Sequence, residues 1–431
     1  MWMSSAGDES SVSAEPTGLG RMLTLESSKV RFQALFFVYF IGSSGFSVFR
    51  NVYLEEMGLS GSQMGQIGFL LMAAGVVAQP AWGLLSDYFR ADRTILVVGG
   101  LGSALALLSY PIGDSLAAPF ALIAAGTALY SALRSPVSPI ATGMVLSRGF
   151  DYGSVRAFGS LAWAIGSLGF GFLVGYLGSV SIIYFYIASA GLMVAIVWSL
   201  PNDGRSEDGT GDGESEADEP GLKEAARALI TNRNFLVILA AAFLLRLSIS
   251  GGEAFFAVYM RNVEVSLGLG PLVLSPDGMT GVAWAINSGI EAVAFLYVLK
   301  TNISYKWLLV GGGVTVVIPN LVYGLTTQPV VLLAVQSLGG IGFAMVSVAA
   351  VDLAHEISAE RVTSTAQSLL TGLGYGLGAA AGQIVAGTLL DAVGIMDMYV
   401  GISVLGFLGA AVGLLVSTDS RSGESRQTAG A

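Results

Sequence analysis

The chain contains no cysteine, so it holds no structural disulfide, no thiolate metal site and no cysteine nucleophile. His355 is its one histidine, which excludes a multi-histidine metal site. Charge is also scarce. Only 12% of residues are charged, against about 25% in an ordinary soluble chain. The net charge is −10 and lies in loops and tails, with no basic stripe to suggest nucleic acid. A glycine-rich phosphate loop with its lysine is missing, which argues against ATP-driven work.

Hydrophobic residues make up 53% of the sequence. So few charges leave too little polar surface to cover a chain this size in water, and lipid as the main solvent resolves the deficit. Backbone polar groups in hydrocarbon must then pair within helices or a closed barrel. Barrel strands would alternate over segments of about ten residues. The apolar runs here are near twenty residues, which is the helix length that crosses a bilayer core of about 30 Å.

The pattern predicts an all-α membrane protein of twelve spans. They run roughly over 32–52, 64–86, 94–111, 117–146, 154–177 and 180–200, then 234–258, 280–299, 306–325, 328–353, 364–390 and 396–416. The polar segment 1–30 reads as a cytoplasmic tail with no cleavable signal. Residues 201–223 include the acidic, glycine-rich run 207–219, which lacks the apolar surface to fold and reads as a flexible linker. An amphipathic stretch, Leu222 to Ile230, follows it on the membrane surface. The expected organisation is a six-helix bundle over 31–200, the linker, a second over 224–417, and a tail at 418–431. Arginine and lysine fall almost wholly on one side of this arrangement, with Arg261 alone in a loop on the other. That asymmetry puts both termini and the linker in the cytoplasm, with the spans in the cell membrane.

Charges inside spans are costly and ask for a reason. Arg156 and Trp163 are seven apart, hence on one helix face. A guanidinium that forks to hydroxyls or a carboxylate, beside a flat indole wall, suits a sugar, a nucleoside or an aromatic acid. The alternative is that Arg156 snorkels to headgroups from the start of its span. Arg246 and Glu253 share a face of the seventh span, either as parts of a proton site or as a static ion pair or outer gate. Glu291 stands midway along the eighth with no charge within a turn. It can take up a proton and release it when the cavity hydrates, or it can be a neutral group that fixes packing. Arg134 lies deep in the fourth span before two Ser-Pro pairs that should bend the helix, and it either binds substrate or holds a carboxylate of the other half. The glycines of the eleventh span, Gly372 to Gly387, let helices approach closely, for packing or for sliding.

The run Gly83-Leu-Leu-Ser-Asp87-Tyr-Phe-Arg90-Ala-Asp-Arg93 resembles the cytoplasmic signature of the major facilitator superfamily. Tyr88 departs from it where a basic residue is usual. Tyr152-Gly-Ser-Val-Arg156-Ala-Phe-Gly-Ser160-Leu-Ala-Trp163, Ser135-Pro-Val-Ser-Pro139 and Thr363-Ser-Thr-Ala-Gln367 resemble the branch containing the lactose permease and the nucleoside and phenylpropionate proton symporters. The resemblance implies two pseudo-symmetric six-helix bundles that rock about a midplane site. It implies a cytoplasmic gate at Gly83, Asp87, Arg90 and Arg93, substrate contacts at Arg156, Trp163 and Thr142, and ion coupling at Glu291, to which the residues' own chemistry adds Arg134 as a substrate contact and Glu253 and Arg246 as coupling groups. Asp352, His355, Glu356 and Arg361 are candidates for a second gate or a solvated helix end. Thr142 replaces a carboxylate of the sugar-transporting relatives, Gln336, Gly339 and Gly342 replace ionisable groups, and Pro319 replaces an arginine. Lactose itself is therefore not the expected substrate.

The expected activity is secondary transport of a small polar or anionic solute, coupled to protons or sodium, by a monomer in lipid without cofactor or metal. Proton-driven export is the alternative, though no glycine-proline pair marks the fifth span between Gly166 and Gly178. Neither an enzyme nor a sensor fits. Catalytic groups are not clustered, and the tails are too short to be an output module.

Overall fold

The computed structural model describes residues 18–89, 91–200, 231–298, 301, 303–357 and 363–417. The expected linker, the amphipathic stretch 222–230, Arg90, Arg361 and both tails beyond these bounds lie outside the described residues. Among the described residues, twelve helices are long and apolar enough to cross a membrane. The first six are α1 (Ser27–Glu56), α2 (Gly61–Ser86), α3 (Asp92–Asp114), α4 (Phe120–Leu146), α5 (Tyr152–Leu177) and α6 (Ser181–Ser199). The others are α7 (Arg233–Asn262), α8 (Pro276–Val298), α9 (Tyr305–Leu325), α10 (Pro329–Ala349), α11 (Ala366–Val393) and α12 (Ile395–Gly413). Within each set of six, short loops make neighbours antiparallel. The face where α1 begins and α12 ends is called proximal here, and the opposite face distal. A two-stranded hairpin, β1 (Leu267–Leu269) with β2 (Leu272–Leu274), sits on the distal face between α7 and α8.

Local chemistry sets the ends and breaks. The Asp151 carboxylate accepts from the amides of Gly153 (3.3 Å) and Ser154 (2.9 Å) and starts α5. Asn232 does the same for α7 through Asn234 and Phe235. Where the two Ser-Pro pairs predict a bend in α4, the helix is interrupted, stopping at Arg134 and resuming at Val137 around Ser135-Pro136. Within α11, Leu370–Leu377 winds as π-helix between two α-helical pieces, an arrangement that recurs at functional sites.

The first six helices form one bundle and the last six another. They meet along α2 and α11, α5 and α8, and α1 and α7. The largest buried cluster crosses between bundles in the distal half, joining Phe46, Phe49 and Tyr53 to Phe256, Tyr259 and Met279. Each bundle has its own separate core in the proximal half, around Phe32 and Leu96 in one and around Ile238 and Leu309 in the other. Shared packing on one side and separate packing on the other leave a cleft that opens to the proximal face.

Candidate functional site

The cleft is a cavity of about 1190 Å³ lined by both bundles. From the first bundle, α1 contributes Phe40, Ser47 and Arg50, and α5 contributes Arg156, Ser160 and Trp163. From the second, α7 contributes Arg246, Ser250 and Glu253, while α8 contributes Trp284, Asn287 and Glu291. Of the positions that depart from the pattern of the relatives, Pro319, Gln336 and Gly339 line it as well, while Gly342 does not.

The Arg156 guanidinium lies 4.3 Å from the centroid of the Phe40 ring, and its Nη1 donates to Ser160 Oγ at 3.1 Å. A cation held over a ring with donors to spare can still receive an oxygen-rich ligand. Arg246 lies 5.5 Å over the Phe343 ring, with Nη1 buried and without an acceptor. Trp284 Nε1 is likewise buried without an acceptor. Such unpaired donors in a cavity wall are open to a ligand's oxygens. Glu253 and Glu291 make no ion pair with any described residue, so Arg246 and Glu253 are not a closed contact pair. The backbone around Glu291 is fixed by close helix approach. A Cβ at Gly340 would stand 2.5 Å from the Asn287 carbonyl oxygen and 2.8 Å from Glu291 N. Asn287 Nδ2 donates across to Gln336 at 3.3 Å.

Arg134 and Thr142 are not on this wall. Ending the first piece of α4, Arg134 reaches into its own bundle, where Nη2 donates to Ser43 Oγ at 2.9 Å and the guanidinium stands 4.7 Å from the Tyr39 ring centroid. At the proximal junction, Gly83 is exposed and Arg93 lies 5.2 Å over the Trp198 ring and donates to the Trp198 carbonyl. The side chains of Asp87, Asp352, His355 and Glu356 lie outside the described residues.

Two features go beyond the sequence pattern, which marks Arg50 only as a charge near the end of its span. Arg50, only 3% exposed, lines the distal end of the cavity without an ion pair among the described residues. The distal face is held shut by polar ties between bundles. Arg261, held within its own bundle by a fork onto Asp277 at 2.7 and 2.8 Å, reaches across to pair with Glu56, and Asn262 donates across to Glu55 at 2.8 Å. Asp391 at the end of α11 accepts from the amides of Gly61 (2.6 Å) and Ser62 (2.8 Å), so it caps α2 from the other bundle. Arg261, the lone cation on that side of the sequence, was the signal available.

The model of the MFS_1 like family matches residues 29–400. The chain is 27% identical over 405 residues to the maltose permease of Geobacillus stearothermophilus, covering 91% of this chain and 95% of that one. It is 25% identical over 382 residues to the uncharacterized transporter YwbF of Bacillus subtilis (strain 168), covering 86% and 88%. Among solved structures, a mutant form of the nucleoside transporter NupG shares the fold at a TM-score of 0.78 and 14% identity, over 90% of this chain and all 100% of that one. A bacterial homologue of the lysosomal transporter Spinster, solved inward-facing and unoccupied, superposes at 0.68 with 14% identity, over 92% and 99%. With the family model spanning nearly all of the membrane helices, the chain belongs to the MFS_1 like family and is a transporter of the major facilitator kind.

Proposed function

We propose that this transporter is a proton-coupled symporter of a small polar or anionic solute, working by alternating access in the cell membrane with its proximal face toward the cytoplasm. The observation that carries the proposal is Glu291, a carboxyl without an ion-pair partner among the described residues, on the wall of a cavity that is open to one face and sealed at the other. A carboxyl there meets water and solute from one side of the membrane at a time, which is what coupling requires. Arg156 and Trp163 supply a guanidinium fork and a flat apolar wall on the opposite bundle. The names of the relatives, a maltose permease and a nucleoside transporter, support solutes of this size. Glu253 and Arg246 share the cavity and modulate the charge that Glu291 meets. The two bundles rock about the site, and one chain suffices.

The test uses purified protein in liposomes with no imposed gradient, while external pH is followed. Maltose, uridine and 3-phenylpropionate are added in turn. Symport predicts alkalinisation on adding one of them and none with Glu291→Gln. A response that requires sodium and survives Glu291→Gln would assign coupling elsewhere.

A further inference from the structure

Arg50 is a buried guanidinium at the distal apex of the cavity. Its Nε donates to Asn51 Oδ1 at 3.1 Å and its Nη2 to Gln383 Oε1 at 3.4 Å, a long contact. Both acceptors are neutral amide oxygens. The other N–H groups have no acceptor, and no carboxylate pairs with the side chain, among the described residues. A buried cation without an anion is costly, and removing one partner of such a pair leaves an uncompensated charge. Elsewhere in this chain the comparable cation, Arg261, has Asp277 and Glu56.

Gln383 is held firmly. Its backbone packs on Gly65, and a Cβ at Gly68 would stand 2.8 Å from Gln383 Cδ. Its Nε2 donates to Ser250 Oγ at 3.1 Å and to the Ser250 carbonyl at 3.3 Å. Gln383 and Ser250 are both on the cavity wall. Four helices, α1, α2, α7 and α11, thus present one unneutralised guanidinium to the solute at the point where the two bundles touch.

We propose that Arg50 is an anion subsite that takes the carboxylate of the transported solute, displacing the amide oxygen of Gln383. This rests on the transport function proposed above and narrows it to organic acids. A carboxylate matches the fork of a guanidinium in two parallel hydrogen bonds, whereas an amide oxygen meets only one arm. The body of the acid would extend toward Arg156 and Trp163.

The test measures binding by the full chain in lipid nanodiscs with matched pairs, 3-phenylpropionate against 3-phenylpropanol and maltobionate against maltose. The melting temperature reports affinity, since a ligand that binds the folded form raises it. At least one acid should bind tenfold or more tightly than its neutral partner, and Arg50→Gln should erase that margin. Gln383→Glu supplies the anion from within. It should preserve or raise the melting temperature of the empty protein while weakening acid binding at least tenfold. Acid binding unchanged in Gln383→Glu, neutral partners binding as well as acids, or no shift from either acid would overturn the subsite. External pH in liposomes separates the two proposals. Alkalinisation by maltose with no acid preference keeps symport and removes the subsite. Arg50-dependent acid binding without any pH change does the reverse.

Discussion

Glu56 and Asp391 close the distal face in different ways, one through a guanidinium and the other through a helix N-terminus. Glu56 is 43% exposed, where an ion pair is worth about 0.2–1 kcal/mol. A carboxylate at a helix N-terminus is worth about 0.3–1 kcal/mol. Glu56→Gln and Asp391→Asn together should therefore favour opening on the distal side by roughly two- to thirtyfold, summed as independent contacts. The labelling rate of an introduced Ser47→Cys, on the cavity wall, by an impermeant thiol reagent from that side measures it. Side-chain partners of this kind were not legible in the sequence, because Glu56 and Arg261 are 205 positions apart. Arg156 and Trp163 were legible as a pair, because seven residues on one helix bring them to one face. Arg50 reads as close to a span end because the apolar run stops near Val52. The helix itself continues to Glu56, and this sets Arg50 within the fold. Arg134 was legible as a buried cation but not by direction, which the break at Ser135-Pro136 sets.

The helices that join the bundles touch through glycine. A Cβ at Gly387 of α11 would run into the Gly61 carbonyl and stand 3.1 Å from Gly65 Cα of α2. A Cβ at Gly171 of α5 would lie 2.6 Å from the Asp277 carbonyl oxygen and 3.0 Å from Gly281 Cα of α8. Backbone this close allows no added methyl without a shift of the helices. Gly387→Val should leave each bundle folded but hold α2 and α11 apart. Uptake into liposomes should be lost, and labelling of Ser47→Cys from the distal side should rise above the wild-type background. The helices themselves were legible from hydropathy. All twelve were expected within about five residues of where they lie, since about twenty apolar residues in lipid have little other option. The glycine row of α11 was legible as a close-contact face. Its π-helical turns were not, because a wider backbone hydrogen-bond pattern leaves no mark in the hydrophobic period.

At the scale of the molecule, one apolar core spans both bundles distally and two lie apart proximally. In proteoliposomes of known orientation, Ser47→Cys in the otherwise unaltered chain should react at least tenfold faster from the proximal side, and a saturating transported solute should reduce that difference. Equal rates from both sides would contradict a resting state open to one face. The native sequence has no thiol to compete with this reporter. Between the two ends of the cleft runs α11, and Leu370–Leu377 gives it fewer turns than its length allows as α-helix. Tightening those wide turns by a single residue would screw the distal half of α11 by roughly 100°. Gln383 would swing from Arg50 in the same motion that carries Asp391 off the amides of α2. Freeing of Arg50 for the solute and unlatching of the far face would then be one twist of a single helix.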